Sequence, residues 1–349
     1  MINNKKIAFF GCKHTTKDCM KKFLDEIGKI DILITINPEL GHKNKVAGYM
    51  DLTEFGEKNN IEIYFAKKYS LKTEEDYNWI KNKNIDLAFV IGWQRLIPSN
   101  ILKEISIGTF GVHGSADNLP RGRGRSPMNW ALILDRKEFF TNLFKYEDNI
   151  DGGGILDTQR FDINEHDSIK TLHNKNTLSM YKLIKTNIDS LTKNDFILKK
   201  QDDTKSTYFP KRNPEDGFID WNLKTKDIYN FCRALTKPFP GAYSFVDKKI
   251  IRIWNLGSFT ESQKYKNSYP SEIIEVFSNE KFAVKTKDGA VIINEYEIDG
   301  KGIIKKGKRL ESKDYKKIYK DIEKRYPDFV KPEQKEITLK KMIEFYERL

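Results

Sequence analysis

The chain has 349 residues, 38% of them hydrophobic and 32% charged, with a mean hydropathy of −0.64 and a net charge of +12 from 62 Lys and Arg against 50 Asp and Glu. This length suits two domains with a sizeable core, since domains usually run to about 100–200 residues, and no stretch reaches the roughly 18 apolar residues of a membrane span. The positive charge is spread as single and paired lysines, often beside acids, so it reads as solvated surface rather than as a nucleic-acid footprint, although a few such groups would serve a small anionic substrate.

The opening "MINNKKIAFFGCKHTT" has too short an apolar run for a secretory segment and reads as the first β-strand of a cytoplasmic protein. Cys12, Cys19 and Cys232 are odd in number and lack C-x-x-C spacing, which predicts reduced thiols rather than a disulfide framework or a zinc site. Apolar runs follow at 6–10, 30–36, 61–66 and 85–93, separated by helical spacing at 19–27 and 74–84. Continuous apolar runs alternating with helices indicate βαβ units, so the fold class is α/β, with a Rossmann-like N-terminal domain built on a mainly parallel sheet. "FFGCKHTT" has one glycine where a dinucleotide-binding turn needs three, so NAD or FAD is not expected there. In open α/β sheets ligands bind beyond the carboxyl ends of the strands. That rule points to the loops after Val90 ("IGWQRLIP"), after Val112 ("HGSADNLPRGRGRSP") and around 146–156 ("YEDNIDGGGIL").

Further on, the spacing predicts a helix over 167–194 with Asp167 as its N-cap. A polar, lysine-rich stretch broken by Pro210 and Pro214 then reads as a linker. After it come a helix at 224–235, a turn at 236–243, and short alternating runs with a turn at 287–289, the pattern of a small β-barrel. The expected division is a catalytic domain at 1–195, a linker at 196–217, a barrel-like (OB-like) domain at 218–312 and a helical tail at 313–349.

None of the five histidines pairs at metal-ligand spacing, so no metal is expected. His113 differs from the other four: it directly follows the run "IGTFGV", where a strand delivers a side chain to the site edge of the sheet. Asp148 and Asp151 stand ahead of three consecutive glycines, in a loop whose backbone can approach a ligand closely; an ordinary turn would look the same. Arg121, Arg123 and Arg125 alternate with glycines, and guanidinium forks suit phosphate oxygens. Ser126 and Pro127 then read as N-cap and first residue of a helix whose N–H groups favour an anion. An exposed basic turn is the competing reading of the arginines.

Taken together, these loops resemble the formyl-tetrahydrofolate-dependent formyltransferases. "VHGS" then "LP", "RGR-SP-NW", and "D-GGGIL" 38 positions after the histidine follow that family's order. "IGWQRLIP" is similar to its folate-side loop, while "YFPKRNPEDGFIDW" and "RALTKPFPGAY" resemble its domain junction and C-terminal domain. Within the family, "HGS" and "RGRSPMNW" are most similar to the amino-sugar enzymes.

The resemblance implies N10-formyltetrahydrofolate as co-substrate and a nucleotide-linked amino sugar as acceptor, for surface-glycan synthesis, with a homodimer as a possible assembly. It implies folate contacts at Gly92, Trp93, Gln94, Arg95, Leu96, Ile97 and Asp148, and catalysis by His113 and Asp151. Ser115, Arg123, Arg125 and Asn129 are the candidates for the sugar-nucleotide side. The family carries an asparagine two residues before the histidine, where this chain has Gly111, and Asn118 in the lengthened loop is the candidate replacement. The alternatives are a methionyl-tRNA formyltransferase and a catalytically impaired folate- or nucleic-acid-binding protein of the same fold.

Overall fold

In a computed structural model the described residues are 4–337, apart from 148, 260–264 and 301. They fall into two compact units, one drawn from Met1–Arg123, Phe140–Phe161 and His173–Ser206, the other from Gly124–Phe139, Asp162–Leu172 and Thr207–Leu349.

The chain runs β1 (Ile7–Phe10), α1 (His14–Glu26), β2 (Ile32–Thr35), α2 (Pro38–Lys43), α3 (Thr53–Lys58), β3 (Glu62–Phe65), α4 (Glu74–Asn82), β4 (Leu87–Val90), α5 (Ser99–Lys103) and β5 (Gly108–Ser115). It continues through β6 (Arg123–Gly124), α6 (Pro127–Ile133), β7 (Glu138–Lys145), β8 (Ile155–Asp162) and α7 (Ile169–Thr192). The seven-stranded sheet has the order β3-β2-β1-β4-β5-β7-β8, parallel from β3 through β5, with β7 antiparallel to β5.

β1 and β4 are apolar at every position, and β2 at all but Thr35, because both faces are covered. Ile7, Phe9, Leu33, Leu87, Phe89 and Phe110 pack with Cys19, Met20 and Phe23 of α1 and with Leu183, Ile184 and Leu191 of α7. Ala8, Phe10, Ile32, Ile34, Ala88 and Val90 face the other way, towards Ile80 of α4 and Ile101 of α5. This is the α/β layering expected of alternating strands and helices. The cysteines Cys12, Cys19 and Cys232 are free and buried.

In the second unit, β9 (Tyr208–Phe209), α8 (Thr225–Leu235), β10 (Ala242–Val246), β11 (Lys249–Phe259), β12 (Ile273–Val276), β13 (Phe282–Lys285), β14 (Ala290–Ile298) and α9 (Tyr315–Glu323) follow one another. The last five strands form an antiparallel sheet of order β10-β11-β14-β13-β12, bulged around Asn255. The turn expected at 287–289 joins β13 to β14. In α9, Tyr315, Ile318, Tyr319 and Ile322 recur at helical spacing and are buried, so the start of the tail is part of this unit's core. Among the described residues no helix is long and apolar enough to cross a membrane.

Inside the first unit the ring of His173 on α7 stands edge-on to that of His14 on α1, 6.2 Å away. Burial, with the charges of His14 and Lys13 adding to it, pushes the His173 pKa down to about 4. The unfolded chain, titrating at about 6.5, therefore takes up this proton first. Stability should fall as pH drops from about 6.5 to about 4 and should lose no more from this group below that. Urea unfolding at pH 7 and pH 4.5 checks this: His173→Gln should lose less stability between the two values than the unaltered protein.

Candidate active site

After β1 the chain builds β2 and β3 on one side, then returns with β4 on the other, so the sheet switches direction between β1 and β4. A crevice opens at such a point beyond the carboxyl ends of the strands. Here the two exits nearly touch. A Cβ on Gly11 would lie 2.2 Å from the Ile91 carbonyl oxygen, and Thr16 Oγ1 donates to that oxygen at 2.6 Å. Gly92 follows with φ +76°, a left-handed turn that suits glycine.

The next residues are fixed by aromatic packing. Trp93 is buried edge-on to Tyr69 at 4.7 Å and to Phe10 at 6.3 Å. The Gln94 N–H donates to the Tyr69 hydroxyl at 2.9 Å, and the Arg95 guanidinium stacks 4.9 Å from the Tyr69 ring. Ile97 is buried and Leu96 exposed. Trp93 Nε1 is buried with no hydrogen-bond partner among the described residues. A donor left unpaired in such a place costs free energy unless a bound molecule accepts from it. The loop is thus held by aromatic packing and carries one buried indole N–H without a partner among the described residues.

β5 outruns its parallel neighbour. Val90 pairs with Gly111, and Val112 to Ser115 extend past it, held on the other side by β7 with His113 opposite Asn142. The extension carries His113 beyond the switch point. Its ring is buried, with Nδ1 3.3 Å from Asp151 Oδ2 and Nε2 3.0 Å from the Gly122 carbonyl oxygen. Both neighbours are acceptors, and a neutral imidazole can donate to only one of them.

Asp151 has φ +51° and leads into glycines that the packing demands. A Cβ on Gly153 would stand 1.8 Å from the Lys145 carbonyl oxygen, and one on Gly154 2.9 Å from Leu198 Cβ. Gln201 holds this loop: its Nε2 donates to the Asp151 carbonyl at 2.8 Å and to the Gly153 carbonyl at 2.7 Å. Its Oε1 accepts from Arg123 at 2.8 Å, and Arg123, 2% exposed, also pairs with Asp203 at 2.8 Å. Arg123 is thus bound up in the protein itself, where its sequence setting suggested a ligand phosphate.

The other expected residues fall in different settings. Ser115 is buried, and its hydroxyl donates to the Arg121 carbonyl, closing the loop on itself. Asn118 is exposed, its carbonyl accepting from the Arg121 N–H. Arg125 and Asn129 belong to the second unit; Arg125 is exposed, and the buried Asn129 amide donates to the Ala234 carbonyl at 2.7 Å. Asp148 lies outside the described residues. Ser126 does stand before α6, but the expected side-chain cap is absent. Its backbone is left-handed, φ +55°, whereas a capping serine is extended so that its hydroxyl reaches the N–H groups of the first turn.

Sequence reading missed Gln201, Tyr69 and Tyr146. The Tyr146 ring occupies the space beside Gly111, where an added Cβ would stand 2.5 Å from its Cδ2. A bulky aromatic next to a glycine-rich loop was the available signal for Tyr146; Gln201 had none inside its polar stretch. Among the described residues no group of three or more His, Cys, Asp and Glu side chains is arranged to hold a metal ion.

A mainly parallel α/β sheet with a histidine–aspartate pair beyond its switch point, together with an antiparallel C-terminal sheet, defines the class. Residues 5–186 match the formyl transferase family and residues 211–312 its C-terminal domain, so the chain belongs to the formyl transferase family. It is 39% identical over 209 residues to bifunctional polymyxin resistance protein ArnA of Wigglesworthia glossinidia brevipalpis; the match takes in 59% of this chain and 31% of that protein, so the chain spans about a third of that relative. Against methionyl-tRNA formyltransferase of Geotalea uraniireducens (strain Rf4) it is 27% identical over 319 residues, 90% of this chain and 95% of that one. In fold it is similar to the N-formyltransferase of Helicobacter canadensis solved with folinic acid and dTDP-3-aminofucose, with a TM-score of 0.59, 19% identity, and coverage of 84% of this chain and 100% of that one.

Gln201→Leu should lower stability by about 2 kcal/mol or more, since it leaves the Arg123 guanidinium and two loop carbonyls without their buried partner. Urea denaturation checks the loss. Release of the Asp151 loop should also appear as faster amide hydrogen exchange across residues 149–154.

Proposed function

We propose that the protein transfers the formyl group of N10-formyltetrahydrofolate to the primary amine of a nucleotide-linked amino sugar, of the kind built into surface glycans. The observation that carries this reading is the His113–Asp151 pair beyond the end of β5, Nδ1 to Oδ2 3.3 Å, in a chain of the formyl transferase family. The sugar acceptor is supported by the fold shared with a protein solved with dTDP-3-aminofucose and with one described as a sugar 3N-formyl transferase.

The amine must be neutral to attack, and histidine is the side chain best suited to take its proton near pH 7. When Nδ1–H is donated to Asp151, Nε2 carries the lone pair. The Gly122 carbonyl, an acceptor as well, then gives up its place to the amine N–H. A bond forms between the amine nitrogen and the formyl carbon, the bond from that carbon to N10 breaks, and the proton taken by His113 ends on N10 through Asp151. The Gly92–Ile97 backbone and Trp93 Nε1 are the proposed folate contacts. Arg121 and Arg125, exposed where Arg123 is buried, are the proposed contacts for the diphosphate.

Methionyl-tRNA is the second acceptor to consider, favoured by a relative of that name that is matched over 95% of its length. Incubating the protein with N10-formyltetrahydrofolate and a panel of UDP-, dTDP-, GDP- and CMP-linked amino sugars, with methionyl-tRNA alongside, decides by product mass. A formylated sugar nucleotide is the expected product, and formylated methionyl-tRNA alone would overturn the sugar reading. His113→Asn and Asp151→Asn should each lower turnover at least about 100-fold, with sugar-nucleotide affinity kept within a few-fold. Undiminished turnover in either variant would remove that residue from the mechanism.

A further inference from the structure

Formyl transfer to an amine pushes negative charge onto the formyl oxygen, and a hydrogen-bond donor aimed at that oxygen is worth far more in the transition state than in the ground state. The obvious polar groups around His113 are already in use. Ser115 donates to Arg121, Gln201 to the Asp151 loop, and Arg123 to Gln201 and Asp203. Asn118 lies on the exposed side of its loop.

Gly111 and His113 are two apart on β5, so they share a face of the sheet. Phe144 pairs with Gly111 from β7, and Tyr146, two residues on from Phe144, stacks beside it with ring centroids 5.9 Å apart. The Tyr146 N–H is bonded to the Thr109 carbonyl, while its ring reaches forward to Gly111, with Cδ2 and Cε2 at 2.5 and 2.7 Å from the position of an added Cβ. The ring therefore runs along the His113 face in the direction of His113. It fills the place that any side chain at residue 111 would need. Its hydroxyl donates to no described residue. Burial first, then the Asp151 carboxylate, raises the phenol pKa, which keeps the proton on the oxygen at neutral pH.

We propose that Tyr146 is the oxyanion donor of this enzyme, its phenolic O–H hydrogen-bonding the formyl oxygen as charge develops there. The glycine at 111 makes room for the ring. As the amine nitrogen bonds to the formyl carbon, the carbonyl electron pair moves to oxygen and is held by the Tyr146 O–H. The phenol keeps its proton throughout, and the pair returns to reform C=O as the bond to N10 breaks. The assignment rests on the formyl-transfer reading above.

The test compares the full-length protein with Y146F, Y146A and the double variant G111N/Y146A, using N10-formyltetrahydrofolate and an acceptor that the unaltered protein formylates. Y146F keeps the ring and removes one hydroxyl. It should lower kcat by roughly 100- to 1,000-fold with KM for both substrates within about twofold, a split that a packing role would not produce. Placing an amide at 111 in the space cleared by Y146A should raise kcat at least tenfold over Y146A alone. A Y146F kcat within threefold of the unaltered protein, a loss confined to KM, or a double variant no faster than Y146A would overturn the assignment. Product from the unaltered protein together with an undiminished Y146F defeats Tyr146 alone; no product from any acceptor defeats formyl transfer itself, and this assignment with it.

Discussion

The side-chain amide of Gln201 ties together loops that the chain keeps 78 and 50 residues from it: its oxygen takes the Arg123 guanidinium, and its nitrogen spans the carbonyls of Asp151 and Gly153. Asp151 sits in a left-handed conformation that a non-glycine residue holds only where its surroundings over-determine it. The glycines after it are pressed against Lys145 and Leu198, so the loop has few other ways to run. With Asp151 fixed in this way, its carboxylate can hold Nδ1 of a buried histidine on another strand. The placing of Asp151 against His113 thus depends on a residue outside the pair.

The same economy governs β5. Its parallel pairing ends at Gly111, and its last four residues pair with β7, whose chain continues past Lys145 to Tyr146. That continuation brings Tyr146 over the glycine. Side-chain volume missing from one strand is made up by a ring from its neighbour, as close packing requires. The ring brings a phenol to a position where residue 111 itself carries no side chain.

The fold was legible because β1 and β4 are apolar at every position and β2 at all but one, a signature of a sheet covered on both faces, and because the helices between them keep their spacing. His113 and Asp151 were legible from their places beside a strand end and a glycine run. The limits appear where a side chain's fate depends on distant chain. Arg123 sits among glycines like an anion-binding residue, yet Gln201 and Asp203 hold it in the interior. Asn129 looks like a ligand contact and instead donates to a carbonyl of α8. Gln201 lies in a lysine-rich stretch that reads as linker, and only long-range hydrogen bonds reveal it as buried. Ser126 has the right residue type for a cap but a backbone turned the wrong way.

A crystal structure of the protein with folinic acid, a reduced folate that bears a formyl group, tests the placement of the site most directly. The expected result has the pterin against the Gly92–Ile97 backbone with Trp93 Nε1 donating to it, and the benzoyl-bearing nitrogen beside the His113–Asp151 pair, near enough to the Asp151 carboxylate for proton transfer directly or through one water. Folate bound elsewhere on the chain, or bound at the loop with that nitrogen turned away from His113, would contradict it.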